Sequence, residues 1–252
     1  ASSRPYQGIN RLALWVAAQA AGYGSGLWGT YRAWQTVGAQ VRKREKATTV
    51  VLWKEAKPAQ DEEEGAEADR GRRLFARSFF VFNLAQVIGY EPEPEARLPE
   101  SARLRHAEAF FANLGIPVTE GAYDAHYRID LDRIFLPPLA AFDDPADHIA
   151  TLAHEAAHAT GAAHRLDRDL TGRFGSAAYA AEEAIAELTA SYVLADLGIA
   201  HQPRADHAAY LASWLEVLKD DPRAIFTAAS QAQQAADWMH AQQPQEANAS
   251  AG

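Results

Sequence analysis

Apolar residues recur along this chain with two periods, and the change of period marks its elements. Residues 12–21 form an apolar helical run preceded by Asn10, a residue type that caps helix starts. Further on, Ile149, Leu152, Ala153, Ala156 and Ala157 recur at helical spacing between Asp144 and Gly161. That predicts a helix with Asp144 as N-cap, Pro145 in its first turn, Asp147 adding a favourable charge and Gly161 closing the far end. Ser176 opens and Gly198 closes a helix over 177–197. Tyr210, Leu211, Trp214, Leu215 and Leu218 mark another, and Asp221 with Pro222 starts a last one reaching about Ala241. Strand-like sequence appears instead in 48–53 and in 125–136, where Tyr127 and Ile129, then Ile134 and Leu136, flank a polar turn and predict a short hairpin. Helices and antiparallel strands in separate stretches give an α+β class.

With 252 residues, 48% of them hydrophobic, the chain is long enough for two modest domains. The expected division is a domain of helices on an antiparallel sheet over 1–97, a mainly helical domain with a short β-hairpin over 98–242, and a disordered tail over 243–252. The acidic run within 59–73 reads as a solvated loop between strands. There is no cysteine, so disulfides and thiolate metal ligands are absent and a reducing compartment suits the chain. The apolar run at 12–21 is too short to span a bilayer. No membrane association and a cytoplasmic location are therefore expected.

Charge separates the two halves. Residues 1–58 hold nine Lys or Arg against two Glu, a surplus of +7, which leaves −16 for the rest of a chain whose formal total is −9. Only the front is attractive to phosphates. Its cations Arg4, Arg32, Arg42, Lys43, Arg44 and Lys46 are interleaved with rings, among them Tyr6, Trp28 and Tyr31. Rings beside cations are how proteins hold single strands without reading sequence. For any one of these rings burial in the core outranks stacking, and the cluster at 42–46 is the stronger phosphate contact.

His154-Glu155-Ala-Ala-His158 carries the chemistry. Four residues turn a helix through about 400°, so both imidazoles leave one face and can grip one metal ion, with Glu155 displaced to the side. A zinc ion, or another divalent transition metal such as Mn2+, held by two histidines needs one more protein ligand and keeps a position open for water. Glu155 would take the proton from that water and later pass one to a leaving amine. The third ligand must come from a second element, and Glu182, Glu183 and Glu187 on the helix over 177–197 all qualify. Tyr127, His164 and Tyr179 are candidate donors to a developing oxyanion, by proximity in sequence only.

HEAAH followed by EEAIAE resembles the glutamate-zincin arrangement. The resemblance implies Glu183 as metal ligand and Glu187 as acceptor of the remaining N–H of a ligating histidine. Over nearly the whole chain, RPYQGIN at 4–10, TYRAW at 30–34, VRKREK before TTVVLWK, FFVFNLAQV at 79–87, HEAAH, HRLDRDL, RFGSAAYAAEEAIAEL and RAIFTAASQAQQAADW resemble the ArdC-type antirestriction proteins. That family pairs an N-terminal single-stranded-DNA-binding domain with a C-terminal zincin-like metallopeptidase domain. The resemblance implies protection of incoming plasmid or phage DNA from restriction in the receiving cell, with single-stranded DNA as partner and a host restriction or defence protein as peptidase substrate. A second reading from another class is a protein that shields DNA by occupancy, its metal serving only fold stability. The family's basic loop usually carries glycines where this chain has Arg44 and Ala47, which implies a stiffer loop here.

Overall fold

The computed structural model describes residues 5–55, 74–93, 98–173, 176–199 and 223–244. Arg4, the acidic loop at 59–73, the helix expected around Tyr210 to Leu218, the Asp221-Pro222 start and residues 245–252 lie outside the described residues. The chain divides into two compact units, Ala1–Glu95 and Ala96–Gly252, and mixes helices with small sheets.

The first unit comprises α1 (Ile9–Ala21), β1 (Trp28–Thr30), α2 (Tyr31–Thr36), β2 (Gln40–Val41), β3 (Thr48–Glu55), β4 (Leu74–Asn83), a 3-10 turn (Leu84–Gln86) and β5 (Val87–Ile88). An antiparallel sheet has the order β1-β4-β3, and β2 pairs separately with β5. Alternation along the strands sends Val50 and Val81 to one face, where Leu14 of α1 completes a core. Trp34, Ala39, Val41 and Val87 form a second small core, against which Phe82, Leu84 and Tyr90 pack.

Asn10 corrects the sequence reading. Gly8 is the N-cap of α1, and Asn10, inside the helix, turns its amide onto β3. It donates to the Val51 carbonyl at 2.7 Å and accepts from the Val51 N–H at 2.8 Å. β3 is an edge strand, so the amide closes polar groups that no neighbouring strand satisfies.

The basic loop between β2 and β3 is tied from inside. Buried Gln86 donates to the Lys46 carbonyl at 2.8 Å and to Glu45 at 3.1 Å, and Glu45 in turn pairs with Arg42 at 2.7 Å. Arg44 sits at φ 69°, in the left-handed region, where a side chain costs about 1–2 kcal/mol. Arg44→Gly is therefore expected to raise the stability of this unit by up to about 1 kcal/mol. The shift of the urea-unfolding midpoint measures it, and a lower midpoint would show that the loop does not carry this strain.

The second unit comprises α3 (Glu100–Ala112), β6 (Val118–Glu120), β7 (His126–Arg128), β8 (Arg133–Leu136), a 3-10 turn (Leu139–Ala141), α4 (Pro145–Ala159), α5 (Ala177–Asp196) and α6 (Ala224–Ala241). The sheet order is β6-β8-β7, with β6 parallel and β7 antiparallel to β8, so the predicted hairpin gains a third strand and β7 lies at the edge. Helix α4 packs against α3, α5 and the hairpin, and α5 packs against α6. Gln243, at the start of the expected tail, is bonded to Asn113 and to the Phe110 carbonyl.

Candidate metal centre

Asp144 accepts from the Ala146 N–H at 2.7 Å, Pro145 fills the first turn and Asp147 supplies the acid there, so α4 begins with its own signals. The helix ends at Ala159 with a Thr160 cap, not through Gly161. Gly161 is needed for closeness instead: a Cβ there would lie 2.8 Å from the Leu170 side chain and 3.0 Å from Arg168. Ser176 caps α5 by accepting from the Tyr179 N–H at 3.1 Å. Gly172 lets its loop touch that start, since a Cβ would meet the Tyr179 nitrogen at 2.5 Å.

Between the two helices three potential ligand side chains converge. Nε2 of His154 and Nε2 of His158 are 3.1 Å apart. Glu183 brings Oε2 to 3.5 Å from the first and Oε1 to 3.6 Å from the second. Zinc bonds of about 2.0–2.1 Å at tetrahedral angles separate ligand atoms by about 3.3 Å, so this triangle fits a single cation. Among the described residues this is the group of His and acid side chains able to hold a metal ion. Two imidazole nitrogens and one carboxylate oxygen suit zinc and its neighbours among the transition metals.

The surroundings favour positive charge at the centre. Burial opposes a charge on His154, yet Glu183, Glu187 and Glu155 outweigh it and hold its pKa up at about 10. Glu187 Oε1 lies 3.0 Å from His154 Nδ1, and Glu182 Oε1 lies 3.3 Å from His158 Nδ1. A carboxylate close to each Nδ1 favours a proton on that nitrogen, and both Nε2 atoms face the centre. Glu155 is 7% exposed, and burial pushes its carboxyl up against the opposing pull of His154 and His158. The backbone N–H of Tyr127 on β7 donates to it, so the edge strand fixes this side chain.

Glu182, one of three candidates for the third ligand, is occupied elsewhere. Arg168 donates to both its oxygens, from Nε at 3.0 Å and Nη2 at 2.8 Å. The same guanidinium donates to Thr160 Oγ1 and to the Ala157 carbonyl, each at 2.8 Å, and so closes the C-terminal end of α4. Arg168 and Glu182 are buried together. No sequence motif assigns Arg168 a role; the one available signal is Glu182 beside Glu183 on a helix with a buried side, where a buried carboxylate requires a cation to pair with.

A cleft of about 430 Å³ opens over the centre, lined by Tyr127 and Ile129 on the hairpin side and by Leu170, Ala178 and Tyr179 opposite. Of the three oxyanion candidates, Tyr179 lines this cleft and its hydroxyl bonds Glu183. Tyr127 also lines it, but its hydroxyl donates to Asp132 at 2.7 Å; burial and Asp132 push that phenol up to about 12. His164 is not among the lining residues and lies 3.2 Å from Asp132. Arg165 holds the same Asp132 with two hydrogen bonds.

In the first unit Arg32, Arg42, Lys43, Arg44 and Lys46 are exposed, Arg42 being paired with Glu45. Tyr6 and Trp28 pack against the Leu14 core, whereas Tyr31 is 44% exposed.

Two histidines one turn apart on one helix, a glutamate from the next and a hairpin edge beside them define a zincin-like domain, which follows a basic α+β domain in the sequence. Residues 105–231 match the family described as zincin-like metallopeptidase, and residues 1–82 match the N-terminal domain of anti-restriction factor ArdC. The chain belongs to the ArdC antirestriction family. It is 55% identical over 247 residues to protein y4eC of Sinorhizobium fredii, covering 96% of this chain and 80% of that one. It is 38% identical to the DNA primase TraC of Escherichia coli over 94% of its own length but only 23% of the primase. The metal-free crystal structure of the antirestriction ArdC protein of plasmid R388 matches with a TM-score of 0.79 at 39% identity, over 94% of this chain and 85% of that one. The Mn(II)-bound form of that protein matches with a TM-score of 0.74 at 37% identity, over 94% and 84%.

Proposed function

We propose that this protein is a metal-dependent peptidase joined to a single-stranded-DNA-binding domain, protecting incoming plasmid or phage DNA from host restriction in the cytoplasm of the receiving cell. The observation that carries the peptidase reading is the triangle of His154, His158 and Glu183 beside the buried Glu155, at the floor of an open cleft. A structural metal site is closed by four protein ligands, whereas a catalytic one leaves room for water. Zn2+ fits the donor set, and Mn2+ is the alternative, since the R388 relative has a Mn(II)-bound structure.

In this reading His154, His158 and Glu183 hold the ion, while Glu187 and Glu182 orient the two imidazoles from behind. When bound, the ion polarises a substrate carbonyl and lowers the pKa of water to about 7. Glu155 accepts the proton of the attacking water and returns it to the departing amine; its raised pKa suits both roles. Tyr179, which lines the cleft, would serve as donor to a developing oxyanion by turning its hydroxyl away from Glu183, whereas Tyr127 and His164 are held by Asp132. An extended peptide, from a host restriction or defence protein, would add to the edge of β7. Phosphates would meet Arg4, Arg32 and the loop from Arg42 to Lys46.

Metal analysis of the full chain, with peptide cleavage before and after chelation, tests this. About one ion per chain and chelator-sensitive cleavage are expected. Bound metal with no cleavage of any unfolded protein, together with undiminished DNA protection after chelation, would leave DNA shielding as the function.

A further inference from the structure

We propose that the single strand crosses the open face of the β1-β4-β3 sheet, stacking on Phe80 and Tyr31 with its phosphates against Lys43, Arg44 and Lys46. The proposal deepens the single-stranded-DNA reading and rests on it. On β4, Val81 faces the α1 core, so Phe80 and Phe82 point to the opposite side. Phe82 is partly covered by the Trp34 cluster. Phe80 is 63% exposed, and its cross-strand partner Thr49 is exposed as well. Burying a Phe is worth about 1.5–3 kcal/mol, so a ring left in water on a sheet is unexplained by folding. Tyr31 lies over the same side: its ring meets Phe82 edge-on at 6.5 Å, and its hydroxyl accepts from Gln40 at 2.8 Å.

The fold ties the basic loop to the end of the sheet where Phe80 lies. Gln86, just past the end of β4, anchors the Lys46 carbonyl, and the chain then enters β3, where Thr48 and Thr49 pair with Val81 and Phe80. Three residues of extended chain separate Lys46 from Thr49, about 10 Å. Arg42 is neutralised by Glu45, which leaves Lys43, Arg44 and Lys46 as the exposed positive rim. Tyr6 and Trp28 face the other way, into the core. Every base offers a π-face once unstacked, and a duplex hides those faces, so exposed rings next to cations fit a single strand.

Binding of the full-length protein to a labelled oligothymidylate of about twenty nucleotides, followed by fluorescence anisotropy over a salt series, tests this. Phe80→Ala should weaken binding about ten-fold with the salt slope unchanged, and Phe80→Trp should restore it. Lys43→Ala with Lys46→Ala should flatten the slope of log K against log salt by about 1.4, two contacts at about 0.7 each. Equal melting temperatures of the Phe80 variants and wild type would assign the loss to contact. Wild-type affinity in Phe80→Ala, or equally tight binding of a duplex, overturns the sheet-face proposal while DNA binding itself stands. Failure of wild type to bind any oligonucleotide overturns both.

Discussion

Glu155→Gln is expected to bind metal within a few-fold of wild type and to lose about 10²–10⁴ of its peptide-cleaving rate. The amide keeps the volume of the carboxylate and can still accept the Tyr127 N–H hydrogen bond, so the shape of the cleft floor is preserved. What disappears is the carboxylate beside the centre that is free to take a proton, because His154, His158 and Glu183 face one another as the candidate ligands and Arg168 holds Glu182. Metal content by elemental analysis, measured beside cleavage of an unfolded protein, separates the two effects. Undiminished cleavage would remove Glu155 from the mechanism, and loss of metal would reassign it to site assembly.

Arg168→Met should be the most destabilising change near the centre. It strands the Glu182 carboxylate without its cation, and breaking a buried pair in this way costs about 3–5 kcal/mol. Released, Glu182 no longer holds His158 in place, and metal affinity should fall about 10- to 100-fold. The pH dependence has a defined sign. Burial alone would push the Glu182 carboxyl up, but His158 and Arg168 outweigh it and hold it below the usual value. Its stabilisation is therefore present at neutral pH and is lost as pH falls from the ordinary glutamate range through the depressed one. The variant should unfold at a higher pH on acidification, which an acid titration followed by circular dichroism measures. A wild-type acid midpoint would show that the pair contributes nothing.

Local chemistry made the helices of the second unit legible. Asp144, Pro145 and Asp147 start α4, and Ser176 starts α5, because caps and first-turn charges act within a few residues. The spacing of the two histidines likewise fixed one face of α4. The acid facing them was less readable: Glu182 and Glu183 differ by about 100° around a helix, and only the crossing of α5 over α4 decides which one enters. The resemblance to glutamate zincins implies Glu183, and its carboxylate oxygens lie 3.5 and 3.6 Å from the two Nε2 atoms. Asn10 misled for a related reason. A residue that caps a helix also satisfies a strand edge, and the tertiary contact with Val51 prevailed over the local one. The exposure of Phe80 is not legible in the sequence, since alternation tells which residues share a face but not which face is left uncovered.

Helices α4 and α5 pack against one another, and alanines are frequent among their buried residues. Ala153 and Ala157 on α4 and Ala186 on α5 have no accessible surface. Such contacts have nowhere to yield, so the span between the imidazoles and the third oxygen is a spacing set by backbone proximity and not by the ligands' own reach. Selectivity between ions of different radius could then drift by changes in this alanine layer alone, leaving every coordinating atom in the sequence untouched.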